Sequence, residues 1–162
     1  MDRQTDLLDI YLTYKVYKQI QMASISNSVK FFLELSKIQA VMNRRFDNGL
    51  GGLGFNEFII LYNLSQAENK QMRRIDLAEK IGLTASGVTR LLLPMEKVGL
   101  VLSGSLESDA RVRSVQLASG GERKLAEALE RAEFLSQEIL TSAGIKKIDT
   151  LTDSLIKLAG RV

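Results

Sequence analysis

Apolar residues along this chain recur three and four positions apart, which is the spacing of one face of an α-helix. In the segment 25–46 this stripe consists of Phe31, Leu35, Ile38, Met42 and Phe46. The same spacing predicts further helices over residues 5–22, 55–68, 119–142 and 148–162. With one Pro and little of the alternation typical of strands, a mainly α fold is expected. In the helix over 55–68, the side chains expected to be buried are Phe58, Leu61, Tyr62 and Leu64.

The segment from Met72 to Leu117 breaks this regular pattern into shorter units. A short first helix is predicted, followed by a tight turn that Gly82 allows. Thr84 then suits the N-cap of a second helix, because its hydroxyl can accept a hydrogen bond from a backbone N–H two or three residues further on. Two helices joined by a tight turn predict a helix-turn-helix. The apolar face of the first helix is predicted to consist of Ile75, Leu77, Ala78 and Ile81.

The second helix of this unit divides into two faces. The residues predicted to face the core are Val88, Leu91, Leu92 and Met95. The outward set is Ala85, Ser86, Thr89, Arg90 and Leu93. Small polar side chains followed by an arginine suit a helix that enters the major groove, hydrogen-bonds base edges and holds a phosphate. An ordinary solvent-exposed face is the alternative. Pro94 lies inside this helix and predicts a kink or local opening near it.

A two-stranded ribbon is predicted behind the second helix. Its strands run from Leu100 to Ser103 and from Val112 to Leu117, around the loop 104–111. Arg111, near the tip of the ribbon, suits the narrow minor groove, where the negative potential is enhanced. Asp109 is placed to pair with Arg111 and orient it, although an exposed pair adds little stability. An ordinary hairpin loop is the alternative.

The basic surplus of the chain lies in the same unit. The formal net charge is +3, and residues 70–100 account for all of it, with six basic and three acidic side chains. The basic ones are Lys70, Arg73, Arg74, Lys80, Arg90 and Lys97. A surplus confined to one unit predicts a phosphate-facing surface there, with Arg74 among the contacts to DNA.

Two missing residue types exclude whole classes of chemistry. With no Cys and no His, the chain cannot use a thiolate nucleophile, an imidazole base or metal sites built from those ligands. Glu107 and Asp109 remain as an acid–base pair, but they are expected on an exposed loop without a cleft. We therefore expect no enzyme, no metal and no cofactor.

The same sequence predicts where the protein is found. No apolar run approaches the roughly 18–20 residues that cross a membrane, so no membrane partner is expected. The N-terminus mixes acids, bases and apolar residues and has no apolar signal core, which predicts a cytoplasmic protein.

Residues 49–54 match the dinucleotide-binding pattern G-x-G-x-x-G letter for letter. That pattern binds a pyrophosphate only when a strand precedes it and a helix follows it in a βαβ unit. A helix is predicted before this segment, and no parallel-sheet pattern occurs in the chain. A flexible connector between helices is the better interpretation.

The run LAEKIGLTASGVTRLLLPMEKVGLV, followed by SDARVRSVQLASGGE, resembles the multiple-antibiotic-resistance regulator (MarR) family of bacterial transcription factors. The resemblance covers about residues 24–160 and implies a winged-helix homodimer that binds double-stranded DNA at a pseudo-palindromic operator. It implies an added N-terminal helix over 1–22, a helical dimerisation region over 23–54 and 118–162, and a DNA-binding lobe over 55–117. Ser86, Thr89 and Arg90 fall on the family's recognition helix, and Asp109 and Arg111 on its wing.

The resemblance also implies a repressor that a small aromatic or lipophilic anion releases from DNA. Arg44, Arg45, Tyr62 and the connector lie where the cleft for such an effector is expected. The chain departs from the family just before the wing and beside its arginine, where basic residues are common. Those positions are Ser103, Gly104 and Ala110. A winged-helix protein-interaction module that has lost specific DNA binding is therefore the alternative function.

Overall fold

The computed structural model describes residues 11–15, 25–106 and 109–160, and it divides the chain into two compact units, Met1–Val41 and Met42–Val162. In the first unit, residues 11–15 are helical, and the rest of the helix predicted over 5–22 lies outside the described residues. Helix α1 (Asn27–Gly49) also begins in this unit, where the Ser26 hydroxyl accepts from the Val29 N–H at 3.2 Å. This helix confirms the prediction over 25–46. The domain boundaries implied by the resemblance stay predictions.

The second unit contains the rest of the described elements in chain order. After α1 come helix α2 and a single 3₁₀ turn, Glu68–Lys70. A short strand, the two helices of the helix-turn-helix, a hairpin and two further helices follow. Their bounds are α2 Phe55–Ser65, β1 Gln71–Arg73, α3 Arg74–Lys80, α4 Ala85–Lys97, β2 Val101–Leu106, β3 Asp109–Leu117, α5 Ser119–Ser142 and α6 Ile148–Ala159.

The core of this unit is built from the predicted apolar faces of α2, α4 and α5, and from the sheet. Its fully buried side chains include Ile60, Leu61, Leu64, Leu77, Val88, Leu92, Met95, Val101 and Val115. Two predicted core residues are instead exposed, Ile75 by 57% and Tyr62 by 43%. The prediction that Ile75 is buried is wrong for a geometric reason. Residues two apart on a helix point in different directions, and on this helix Leu77 faces the core.

The sheet has three strands, so the prediction of a two-stranded ribbon is incomplete. Its order is β1-β3-β2 and all pairs are antiparallel. Met72 of β1 lies opposite Val115, and the Gln71 side-chain amide donates to the buried Ser114 hydroxyl at 2.9 Å. Three residues are too few for alternation to show, which is why the sequence did not predict β1.

The hairpin strands are longer than predicted. Strand β2 continues to Leu106 and β3 begins at Asp109, and these two residues are paired. The predicted loop 104–111 is therefore wrong over most of its length, since Gly104 and Asp109 both lie in strands. Gly104 lies opposite Ser114 of β3.

The glycine-rich segment 49–54 connects α1 to α2, as the connector interpretation predicts. Leu50 and Leu53 are 1% exposed and anchor it in the core. Two N–H groups at the start of α2 already have acidic partners, because Gly54 donates to Glu57 at 2.9 Å and Phe55 donates to Asp47 at 2.7 Å. A helix precedes the segment and carboxylates hold these donors, so the structure disagrees with a pyrophosphate site.

Helix α4 runs as one helix from Ala85 to Lys97, through the exposed Pro94. Helix α5 confirms the prediction over 119–142 and starts close against the segment that follows α4. An added Cβ at Gly121 would lie 2.1 Å from the Leu100 carbonyl oxygen, so only glycine fits there. Within the described residues, no helix combines the length and the apolar character needed to span a membrane.

Candidate nucleic-acid interface

Helix α4 begins with the cap that its sequence predicts. The Thr84 hydroxyl accepts from the Gly87 N–H at 3.1 Å. An added Cβ at Gly87 would lie 3.1 Å from that hydroxyl, so glycine leaves it room. The Ser86 hydroxyl lies 3.2 Å from the Thr84 hydroxyl. The cap therefore fixes the first turn of α4, the turn from which small polar side chains emerge.

The two faces of α4 differ as predicted. Val88, Leu92 and Met95 are completely buried, and Leu91 is partly buried. On the other face, Ser86 and Arg90 are exposed. Thr89 is half-buried, and its hydroxyl donates to the Ala85 carbonyl at 2.9 Å. A helix locked on one side and carrying short polar groups on the other can lie in a groove about as wide as itself.

Ion pairs occupy some of the basic side chains of residues 70–100. Lys70 pairs with Glu122 at 2.9 Å and Arg73 with Asp76 at 2.6 Å. The hydrogen bonds to Asp76 raise the pKa of Arg73 above its ordinary value, so this guanidinium stays charged at any physiological pH. The described ion pairs leave three of the six basic side chains of 70–100 without an acidic partner, namely Lys80, Arg90 and Lys97. All three are exposed.

Arg74 is not presented as a free cation, and its assignment as a DNA contact stays a prediction. Its side chain is 19% exposed and pairs with Glu96 at 3.1 Å. The same Nη2 donates to the Ser103 hydroxyl, and Nε is buried without a partner. A guanidinium held in this way is part of the interior of the lobe. The sequence did not distinguish it from Arg90, because both are arginines in one basic segment.

The wing residues are placed only in part. Asp109 and Arg111 lie in β3, but their side chains, and hence their predicted pairing, fall outside the described part. Arg113 is exposed on the same strand and is not among the predicted site residues.

An aromatic groove lies against α5 in the second unit. Four rings stack in sequence, with centroids 4.5 Å apart for Phe46 and Phe55, 6.2 Å for Phe55 and Phe58, and 6.5 Å for Phe58 and Tyr62. The cavity beside them has a volume of about 350 Å³. Its remaining lining residues are Leu129, Ala132, Glu133 and Ser136. Tyr62 is among the residues that line this groove, whereas Arg44 and Arg45 are not.

Comparison with known proteins identifies one segment of the chain as MarR-type. Residues 55–112, from the start of α2 into β3, match the sequence model of the MarR family. The matched segment contains the whole of the helix-turn-helix.

Individual transcriptional regulators are similar to this chain over between 64% and 85% of its length. The transcriptional repressor YetL of Bacillus subtilis is 28% identical over 106 residues, which cover 64% of this chain and 64% of YetL. A MarR mutant from E. coli complexed with operator DNA has a TM-score of 0.72 at 18% identity, covering 84% of this chain and 99% of its own. The regulator PcaV of Streptomyces coelicolor, in complex with its natural ligand, has a TM-score of 0.73 at 15% identity, covering 85% and 97%. These two structures confirm the fold.

Proposed function

We propose that this protein is a homodimeric, sequence-specific DNA-binding repressor that a small molecule releases from its operator. The outward face of α4 is the observation that carries the proposal. Ser86, Thr89 and Arg90 emerge from a helix whose opposite face is completely buried. Hydroxyl groups suit base edges, and the unpaired Arg90 suits a guanine edge or a phosphate.

Two such helices are needed to read a pseudo-palindrome, with half-sites about one helical turn apart. The apolar seam of α6 supports a homodimer, since its side chains are between 41% and 49% exposed in a single chain. The seam consists of Ile148, Leu151, Leu155 and Leu158. Leucines and isoleucines at alternating spacings of three and four are typical of a helix that packs against another helix.

The aromatic groove supports the effector part of the proposal. Four stacked rings favour a planar aromatic ligand, because offset stacking adds to the burial of apolar surface. Among the described residues, Glu133 is the charged one in the lining, and no basic side chain lines the groove. A carboxylate beside aromatic faces attracts a cation and repels an anion. We therefore propose a neutral or cationic aromatic effector rather than the anion that the resemblance implies.

Fluorescence anisotropy titration tests the DNA-binding part. The labelled probe is the duplex upstream of the protein's own gene, and a scrambled duplex of the same composition is the control. We expect nanomolar binding to the first, far weaker binding to the second, and affinity that falls steeply with salt. Equal, weak and salt-independent binding to both would instead support a protein-interaction module.

A matched set of ligands tests the effector part. The probes are 2-naphthylmethyl-trimethylammonium, 2-naphthalenemethanol and 2-naphthoate, each added to the protein–DNA complex. The cation and the alcohol should release DNA at lower concentrations than the carboxylate. Glu133→Gln should weaken the release of DNA by the cation alone. Phe58→Leu should weaken the release of DNA by all three ligands. Release by the carboxylate at the lowest concentration would contradict the proposed charge preference.

A further inference from the structure

Arg74 lies where three elements of the DNA-binding lobe meet. It is the first residue of α3, Glu96 lies in the last turn of the recognition helix α4, and Ser103 lies on β2. The guanidinium donates through the same nitrogen, Nη2, to Glu96 and to Ser103. One side chain thus connects the recognition helix to the strand that leads to the wing.

The burial of this connection distinguishes it from the exposed pair of Arg73 and Asp76. The side chains of Arg74 and Glu96 are 19% and 28% exposed, whereas those of Arg73 and Asp76 are 52% and 36% exposed. A largely buried pair is weakly screened by salt, and the loss of one partner leaves an uncompensated charge. The neighbouring pair joins Arg73, the last residue of β1, to Asp76 in the first turn of α3, so it links neither the recognition helix nor β2.

The residue at position 103 determines whether Arg74 can form a hydrogen bond to β2. The Ser103 side chain is short and its hydroxyl can accept a hydrogen bond, so the Arg74 guanidinium approaches the strand closely. A lysine or arginine at this position would bring a second cation against Arg74 and would remove the acceptor. Beyond Ser103 the hairpin continues through Gly104 and Ser105, which are paired with Ser114 and Arg113. The hydrogen bond is therefore made at the base of the wing.

We infer that Arg74 is a positioning residue that couples the wing to the recognition helix, rather than a contact to DNA. This inference rests on the proposed function for its effect on DNA binding, but not for its effect on the wing itself. Arg74, Glu96 and Ser103 hold the base of the hairpin at a fixed position relative to α4. Without them the hairpin is still formed but is less well oriented, so the wing contributes less to binding.

Charge-neutral variants of the full-length chain test the coupling. Arg74→Met combined with Glu96→Gln removes both buried charges and so avoids an unpaired one. Ser103→Ala is milder, since it removes the acceptor on β2 and keeps the ion pair. The matched control is Arg73→Met with Asp76→Asn, which removes the more exposed pair at the start of α3. Each background is made with and without Arg111→Ala.

Hydrogen exchange of the free protein provides the first measurement, which is independent of DNA. The Arg74/Glu96 variant should exchange faster at the β2 and β3 amides, while the amides of α5 stay unchanged. Ser103→Ala should show the same change at smaller amplitude, and the Arg73/Asp76 control should show none. Faster exchange throughout α3, α4 and α5 would mean that the residues only stabilise the lobe, and would overturn the inference.

DNA affinity provides the second measurement, with a duplex selected by the wild-type protein from a random pool. Arg111→Ala should weaken binding about tenfold in the wild type and in the control, as expected for one lost contact. In the Arg74/Glu96 background, Arg111→Ala should lower the DNA affinity by less than about threefold. Adding Arg111→Ala to that background should also leave its salt dependence unchanged. A full tenfold loss there would overturn the coupling. If the wild type selects no duplex, the proposed function fails, and hydrogen exchange alone decides the inference.

Discussion

Arg74 and Arg90 carry the same charge in one basic segment, but the fold gives them different surroundings. Arg74 is held between Glu96 and Ser103, whereas Arg90 stands exposed on the outward face of α4 without an acidic partner among the described residues. A desolvated, paired guanidinium and a hydrated, unpaired one differ in what they can offer a phosphate. The free cation, Arg90, is therefore the side chain expected to approach DNA.

Arg90→Ala should weaken DNA binding and make it less sensitive to salt. In the proposed homodimer the change removes one phosphate contact from each half-site, and each lost contact lowers the slope of log affinity against log salt by about 0.9, so the slope should fall by about 1.8. Anisotropy titrations at several salt concentrations measure this slope. Arg123→Ala is the matched control, since Arg123 is an exposed arginine on a different helix, α5. Equal slopes for both variants and the parent would place Arg90 outside the interface.

Thr84→Ala should destabilise the lobe through the start of α4. The change removes the oxygen that accepts from the Gly87 N–H, and the loss of an N-cap costs about 1 kcal/mol in the free energy of unfolding. Urea unfolding followed by circular dichroism measures it. Thr84→Ser keeps the acceptor and should stay close to the parent. A serine variant as unstable as the alanine variant would point to the lost methyl group instead of the cap.

At the scale of elements, helices were predicted better than strands. The bounds of α5 match the prediction because its apolar stripe repeats over many turns, whereas β1 is three residues long. Strand β1 exists because Met72 lies opposite Val115 across the sheet. That pairing joins parts of the chain far apart in sequence, and local periodicity carries no information about it.

Gly121→Ala tests the junction between α5 and the segment after α4. The added Cβ would lie 2.1 Å from the Leu100 carbonyl oxygen and 2.8 Å from a Leu117 methyl group. The backbone at Leu100 and helix α5 must then move apart. We therefore expect the free energy of unfolding to fall by about 1–3 kcal/mol. Gly104→Ala is the control, because its Cβ would meet only the Ser114 hydroxyl, at 3.8 Å. Equal stability of the two variants would show that α5 can shift without cost.

At the scale of the whole molecule, the proposed dimer depends on surfaces that a single chain leaves exposed. Apolar side chains on α6 are half exposed, and α6 has no buried residue in the isolated chain. A helix with a continuous apolar seam is normally covered by another helix. A second copy of the chain is the partner that the proposed function supplies.

Leu151→Glu combined with Leu155→Glu should convert the dimer into monomers. Two charges placed in the seam would have to be desolvated on association, which costs several kcal/mol per ion. Multi-angle light scattering gives the molecular mass directly. Ile156→Glu is the control, since Ile156 is 61% exposed and lies off the seam. A dimer that survives the double change would have its interface elsewhere.

The sequence by itself determined the mainly α architecture, the helix-turn-helix, the Thr84 cap and the two faces of α4. These features depend on residues within about one helical turn of each other, so their spacing along the chain is sufficient to predict them. Only the tertiary structure decided that β1 joins the sheet, that Ile75 is exposed and that Arg74 is held by Glu96 and Ser103. These outcomes depend on contacts between segments distant in sequence, which decide which groups lose water and which charges find a partner.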